Sequence, residues 1–269
     1  LLQVLCIKPD DSGIFFTSAC TRSDGCLMVV NGGSNKIVVF DCGGQLIQAN
    51  FGNRIMNKRF KEPSLITETP NKRIVVFDRA TNQLKKLSFE EDFIATFDIG
   101  LPSYSLTTNN YGHLVMAHQK GKQGRLVTIR DSDNGFVIHS VEIKPEPTTV
   151  PETPFYAAYR PLTCQIVTLC QSTCQLAIRN IYGEKDMAMG KHGFVVGHMD
   201  SPSSLCIDSK GQVIVADTKN DRILRYKCDK SGSCEVLISD IRRPLCVRLD
   251  KFDQLIVITA HSILIFFMI

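Results

Sequence analysis

The chain has 269 residues, 43% of them apolar, a formal net charge of +4 at pH 7, eleven cysteines and no tryptophan. That apolar share supports a packed core and excludes a disordered chain. The small charge excludes a polyelectrolyte that holds nucleic acid by net charge alone, and the missing tryptophan argues against WD-type propellers.

Leu1–Ile7 is an apolar stretch that reads as a lone strand. Further on, apolar runs begin at Leu27, Ile74, Leu114, Ile166, Val213 and Leu255, which are 47, 40, 52, 47 and 42 residues apart. This is the spacing of β-propeller blades of roughly 40–50 residues, so six runs predict six blades. The first blade takes Ile14–Thr21, Cys26–Val30, Lys36–Phe40 and Gln45–Ala49, with Asp24-Gly25 and Gly43-Gly44 as tight turns. A second blade runs through Pro63–Ile66, Arg73–Phe77, Gln83–Leu87 and Phe93–Phe97. The third uses Pro102–Leu106, His113–Ala117, Arg125–Ile129 and Phe136–Glu142, followed by Lys144–Pro154, whose four prolines cannot pair as a strand. In the fourth, Phe155–Arg160, Gln165–Leu169 and Gln175–Ile181 are legible, and the outermost strand is either missing or within His192–Val196. The sixth, Pro244–Leu249, Leu255–Ile258 and Ser262–Phe267, stops after three strands. Leu1–Ile7 is expected to supply the fourth beside Ile263–Phe267, closing the ring and covering its edge. The terminal run from Ser262 to Ile269 is too short for a membrane helix, which needs about 20 residues, and reads as a central strand.

The fifth blade is the clearest unit. Ser201–Cys228 reads as three strands: Ser204–Asp208, a Ser209-Lys210-Gly211 turn, Gln212–Ala216, a second turn at Asp217–Asp221, and Arg222–Lys227, closed by Cys234–Ile238. Pro202, the Asp208-Ser-Lys-Gly211 turn, Val213–Asp217, Asn220 and Arg222-Ile223 resemble the NHL repeat, each copy of which is one propeller blade. The reading is therefore all-β: one domain over residues 1–269, a six-bladed propeller of NHL repeats with the ring closed by the N-terminal strand.

The sequence contains neither Gly-x-Ser-x-Gly nor a phosphate loop. Cys164, Cys170 and Cys174 are the densest thiols, but their spacing is not the paired Cys-x-x-Cys of structural zinc. Cys6, Cys26, Cys164, Cys206 and Cys246 lie in apolar strand runs, as reduced thiols of a cytosolic protein would. Inner strands carry Thr67, Ser105, Ala157 and Cys206 near their middles, with no carboxylate set for a calcium lactonase. Hence no enzyme, metal or cofactor is expected. Leu1 in place of an initiator Met reads as a fragment of a longer protein.

The basic loop residues gather on one face, with Lys72, Arg73 and Lys210 on the other as exceptions. Loops into each inner strand and turns between second and third strands carry Lys58, Arg59, Lys61, Arg79, Lys120, Lys122, Lys219, Arg222, Arg242 and Arg243. Asp10, Asp11, Asp24, Glu90–Asp92, Asp208, Asp229, Asp250 and Asp253 map to the other face. A disc so polarised would attract phosphates with salt-dependent affinity.

The chain resembles the propellers of the TRIM-NHL family over its length, most closely in the fifth blade. The resemblance implies a cytoplasmic module, with ribonucleoprotein granules as a candidate location, of a post-transcriptional regulator that represses messenger RNA. It would bind single-stranded or loop RNA, such as 3′ untranslated regions, as a monomer without a membrane, alongside protein cofactors of repression. By the same resemblance, contacts after the turn Asp would come from Arg79, Gln119, Lys120, Thr218 and Lys219, and contacts flanking the inner-strand Pro from Lys61, Ser103, Tyr104, Phe155, Tyr156, Arg242 and Arg243. Arg and Lys would hold phosphates, and whichever of Phe155 and Tyr156 faces outward could stack on bases. Cys170 and Thr259 replace the turn Asp in the fourth and sixth blades. The alternative is a protein-docking platform without RNA binding, signalled by apolar or acidic residues on that face.

Overall fold

The computed structural model describes residues 2–7, 15–52, 60–122, 124–144, 150, 152–229, 231–250 and 252–267. Its strands in chain order are β1 (Leu2–Ile7), then β2 (Phe16–Thr21), β3 (Leu27–Asn31), β4 (Lys36–Phe40) and β5 (Leu46–Gln48) of the first blade. The second blade holds β6 (Pro63–Glu68), β7 (Ile74–Asp78), β8 (Gln83–Leu87) and β9 (Phe93–Asp98), and the third β10 (Ser103–Thr108), β11 (Leu114–Lys120), β12 (Gly124–Arg130) and β13 (Val137–Ile143). Blade four is β14 (Phe155–Arg160), β15 (Gln165–Cys170), β16 (Gln175–Arg179) and β17 (Lys185–Met189); blade five is β18 (Ser204–Ile207), β19 (Val213–Asp217), β20 (Arg222–Tyr226) and β21 (Cys234–Ile238). The last comprises β22 (Cys246–Leu249), β23 (Gln254–Ile258) and β24 (Ile263–Phe267). Each blade is a four-stranded antiparallel sheet, and β1 completes the sixth in the order β1-β24-β23-β22. The chain is thus an all-β, six-bladed propeller whose ring the N-terminal strand closes.

Second and third strands are the most buried because both their faces meet neighbouring blades. Leu27–Val30, Ile74–Phe77, Leu114–Ala117 and Val213–Ala216 are all buried. Clusters of such residues span adjacent blades: Cys20, Met28 and Ile37 of the first pack with Phe60, Ile66, Ile74 and Val76 of the second. Fully burying one such side chain contributes about 1.5–3 kcal/mol, so blade stacking, not any single sheet, holds the ring.

The fourth blade departs from expectation. Its outer strand is β17, at Lys185–Met189, not within His192–Val196. β17 has one buried residue, Met189, and an outermost strand needs little more, which is why Lys-Asp-Met-Ala-Met carries a weak signal. Residues 192–196 instead belong to a loop pinned by a parallel bridge between His192 and Met199. The predicted start of the first inner strand at Ile14, and most of Lys144–Pro154, lie outside the described residues.

All eleven cysteines are unpaired. The expectation that these cysteines lie within apolar strand runs holds for Cys6, Cys206 and Cys246, in β1, β18 and β22, and is corrected for Cys26 and Cys164, which stand just before β3 and β15. Cys6 and Cys164 are exposed, Cys26 is half-buried, and Cys206 and Cys246 are buried. Cys164 occupies a left-handed position (φ +52°) just after a short 3-10 turn, off the strand.

Candidate binding face

One position organises the upper face, the side bearing the loops into each inner strand. It ends the apolar run of the second strand, and around the ring it is Asn31, Asp78, His118, Cys170, Asp217 and Thr259. In the second and fifth blades the Asp side chain is fully buried. Asp78 accepts backbone N–H from Lys61 (2.9 Å) and Glu62 (3.0 Å) and pairs with Lys85 Nζ at 2.6 Å. Asp217 accepts from Asp200 N (2.7 Å), Asn220 Nδ2 (2.9 Å) and Arg222 Nε (2.8 Å). Each carboxylate therefore ties the entry loop to the third strand. Burial disfavours ionisation of Asp78, but the Lys85 ammonium and two N–H groups outweigh it and hold the carboxyl below its ordinary range.

The other blades solve the problem with different chemistry. Asn31 Oδ1 accepts Phe15 N at 3.3 Å and Gly33 N at 3.1 Å. Cys170 Sγ accepts from Arg125 Nη1 at 2.8 Å. Burial would raise this thiol, yet Ser172, Thr173 and Arg125 bring it below its ordinary value. His118 is held between Ser103 Oγ and Thr128 Oγ1, both at 2.7 Å. Burial, aided by the Arg130 charge, lowers its pKa to about 4. The folded state thus refuses a proton that the unfolded chain takes up near pH 6.5, so stability falls on acidification from about 6.5 towards 4. Between pH 7 and 5 this contributes about 2 kcal/mol of lost stability. The urea midpoint should drop accordingly in the wild type, and His118→Gln should flatten that slope.

The candidate contact residues divide sharply when placed on this scaffold. Phe155 is 2% exposed and lies beneath the Arg125 guanidinium, 5.0 Å from its ring centre, so it is core and cannot stack on a base. Tyr156, its neighbour, points the other way, into the central channel with Tyr104. Thr218 is buried, donating to Ser203 Oγ and Pro244 O at 2.7 Å. Ser103 is occupied by His118, and Gln119 is buried, its Nε2 donating to Gly121 O (2.7 Å) and Lys122 O (3.1 Å) to shape the turn. These inward residues are spent on the fold. Arg59, with Lys58, lies outside the described residues.

The exposed cations are largely answered by acids. Arg79 donates to Glu62 Oε1 at 2.8 Å, Lys120 pairs with Glu142, and Lys219 lies 3.6 Å from Asp200, while the more deeply set Arg222 serves Asp217. Lys61, Lys122, Arg242 and Arg243 are exposed, and no ion pair reaches them among the described residues. Arg242 and Arg243 border a cleft of about 820 Å3 between the fifth and sixth blades, with Phe15, Ile241 and His261. On the opposite face, acids serve turns: Asp208 Oδ1 accepts Lys210 N (3.0 Å) and Gln212 N (2.7 Å) around Gly211, whose φ of +76° suits only glycine well. Glu91 is buried, accepting Gly52 N at 2.8 Å. The polarised disc expected from residue positions is therefore muted by local pairing.

A feature missed in the sequence stands beside the fifth blade. Asn220 Nδ2 donates to Gly193 O (2.9 Å), and Arg222 donates to Phe194 O (2.7 Å), Val195 O (3.1 Å) and His198 O (3.0 Å). Tyr226 Oη adds a bond to Gly197 O at 3.2 Å. The loop so clamped holds Phe194 79% exposed, with Val195 and Val196 about half exposed beside it. Phe-Val-Val between two glycines was the available signal. No group of three or more His, Cys, Asp or Glu converges as metal ligands would among the described residues. No helix there is long and apolar enough to cross a membrane.

Residues 199–226 match the family model described as the NHL repeat. No curated protein matches the chain in sequence. Solved structures share its shape at low identity. A gluconolactonase from Xanthomonas campestris superposes with a TM-score of 0.71 at 8% identity, covering 98% of this chain and 97% of the other. The WD40 propeller domain of Doa1 gives 0.68 at 10%, covering 99% and 97%. A catalytically inactive virginiamycin B lyase from Staphylococcus aureus, with quinupristin, gives 0.64 at 10%, covering 94% and 80%. Likeness at this level establishes the propeller fold and nothing of its chemistry.

Proposed function

We propose that this six-bladed propeller, whose fifth blade carries the NHL repeat, is a non-catalytic docking module that receives a protein segment on its upper face. The observation that carries this is the clamped loop. Leaving Phe194 in water forgoes about 1.5–3 kcal/mol of burial, and fixing its backbone through Asn220, Arg222 and Tyr226 removes ordering entropy that a flexible loop would lose on binding. An exposed, pre-ordered apolar tip ringed by paired charges has the anatomy of an interface centre with a polar rim.

The second reading is single-stranded RNA, as implied by the resemblance to TRIM-NHL regulators of messenger RNA. Arg242 and Arg243 favour it, since they border the cleft and no carboxylate pairs with either guanidinium among the described residues. The two readings separate in one experiment. Peptides selected from a random display library should bind the wild type and lose about tenfold or more in affinity to the Phe194→Asp, Val196→Asp double variant, with Tm unchanged. Pooled random RNA, followed by fluorescence anisotropy at two salt concentrations, should bind weakly. Tight RNA binding abolished by Arg242→Glu with Arg243→Glu, and untouched by the Phe194 variant, would establish RNA as the ligand instead.

A further inference from the structure

The axis of the ring is an open channel, divided at a waist by Arg248 and Thr107, which line both halves. The upper half has a volume of about 380 Å3 and the lower about 290 Å3. Arg248, on β22, is half-buried. Its Nη1 donates to Val247 O at 2.9 Å and to Ser204 Oγ at 3.4 Å, and no carboxylate pairs with it among the described residues. Thr107 Oγ1 is buried without a hydrogen-bond partner. Tyr104 and Tyr156 also line the upper half, and no hydrogen bond reaches either phenol among the described residues. Burial, aided by Cys246 and Tyr104, pushes the Tyr156 phenol well up, so it stays a donor.

A half-buried guanidinium without a counter-ion and a buried hydroxyl without a partner are both costly to maintain, and their convergence on one cavity points to a ligand. The charge pattern says where it sits. Glu68 and Asp208 line the lower half and repel an anion there, whereas the upper half has Arg79 and Arg248, and Arg79 is already paired with Glu62. One free guanidinium with three hydroxyls suits a monoanion, and its planar fork matches a carboxylate. Around it Phe16, Leu65, Leu205 and the two tyrosine rings form apolar walls.

We propose that the upper half of the central channel binds a small organic carboxylate, its charged end on Arg248 and Thr107 and its apolar body between Tyr104, Tyr156 and Leu65. The site is independent of the Phe194 loop and of the Arg242–Arg243 cleft. Isothermal titration at pH 7 with acetate, phenylacetate, 3-phenylpropionate, neutral phenylacetamide and inorganic phosphate tests it. The aryl carboxylates should saturate the wild type, phenylacetamide should bind about tenfold more weakly, and Arg248→Gln should remove about tenfold or more of the carboxylate affinity. Thr107→Val, nearly isosteric, should weaken it about threefold and decides the matter if the Arg248 variant fails to fold. Equal binding to wild type and variants, phosphate tighter than the carboxylates, or no saturation by any carboxylate up to about 10 mM overturns the proposal and leaves a channel holding only water.

Discussion

A chain lacking residues 1–7 is expected to lose on the order of 5 kcal/mol of stability, comparable to the whole stability of many domains, and to aggregate. β1 pairs along β24 from Leu2 opposite Phe267 to Ile7 opposite Ile263, with one bulge between Gln3 and Leu5. Ile7 is buried in a cluster with Phe16, Ile258 and Ile263. Removing the strand re-exposes that cluster, forfeits a ladder of backbone hydrogen bonds worth about 1 kcal/mol each, and bares Ile-Leu-Ile-Phe-Phe as an unpaired edge. Such a segment, apolar and without charge or proline, is a template for pairing with a second chain. Urea denaturation and sedimentation of the truncated protein check this. A soluble monomer with an unchanged midpoint would mean that the ring does not depend on its closing strand.

Asp217→Ala should be the most damaging single substitution on the upper face, at about 3–5 kcal/mol. The residue is fully buried and Arg222 is 11% exposed, so truncation leaves a guanidinium with little access to water and no counter-charge. It also strands Asp200 N and leaves Asn220 Nδ2 with its bond to Gly193 O alone. Because the same Arg222 holds Phe194, Val195 and His198, amide exchange across residues 193–198 should accelerate together with the loss of stability. Thr259→Ala, at the matching position of the sixth blade, removes only turn bonds around Ser262 and should cost about 1 kcal/mol. Similar costs at the two positions would show that the carboxylate is not the keystone of its blade.

Six evenly spaced apolar runs made the blade count readable, because burial on both faces forces the second strand to be continuously apolar. The outer strands were harder. β17 buries one residue and so leaves almost no pattern, which is why its place fell to the wrong loop. At Phe155-Tyr156, alternation along a strand fixed that one side chain is core without saying which; packing beneath Arg125 decided it. Charge pairing was less visible still. Glu62, Asp200 and Glu142 stand 17, 19 and 22 positions from the cations they neutralise, separations that only the folded blades bring to contact. Arg248 did leave a mark, as a lone charge inside Cys246–Leu249, an otherwise apolar inner strand.

The sharing of the sixth blade between the two ends of the chain has a consequence during synthesis. β1 leaves the ribosome ahead of the blades and its partner β24 after them, so β1 waits for about 260 further residues to be translated before its hydrogen bonds can form. At about 5–20 residues per second that interval is tens of seconds. Through it the nascent chain carries an unmatched apolar strand, a natural client for a holding chaperone, while five blades assemble in order behind it.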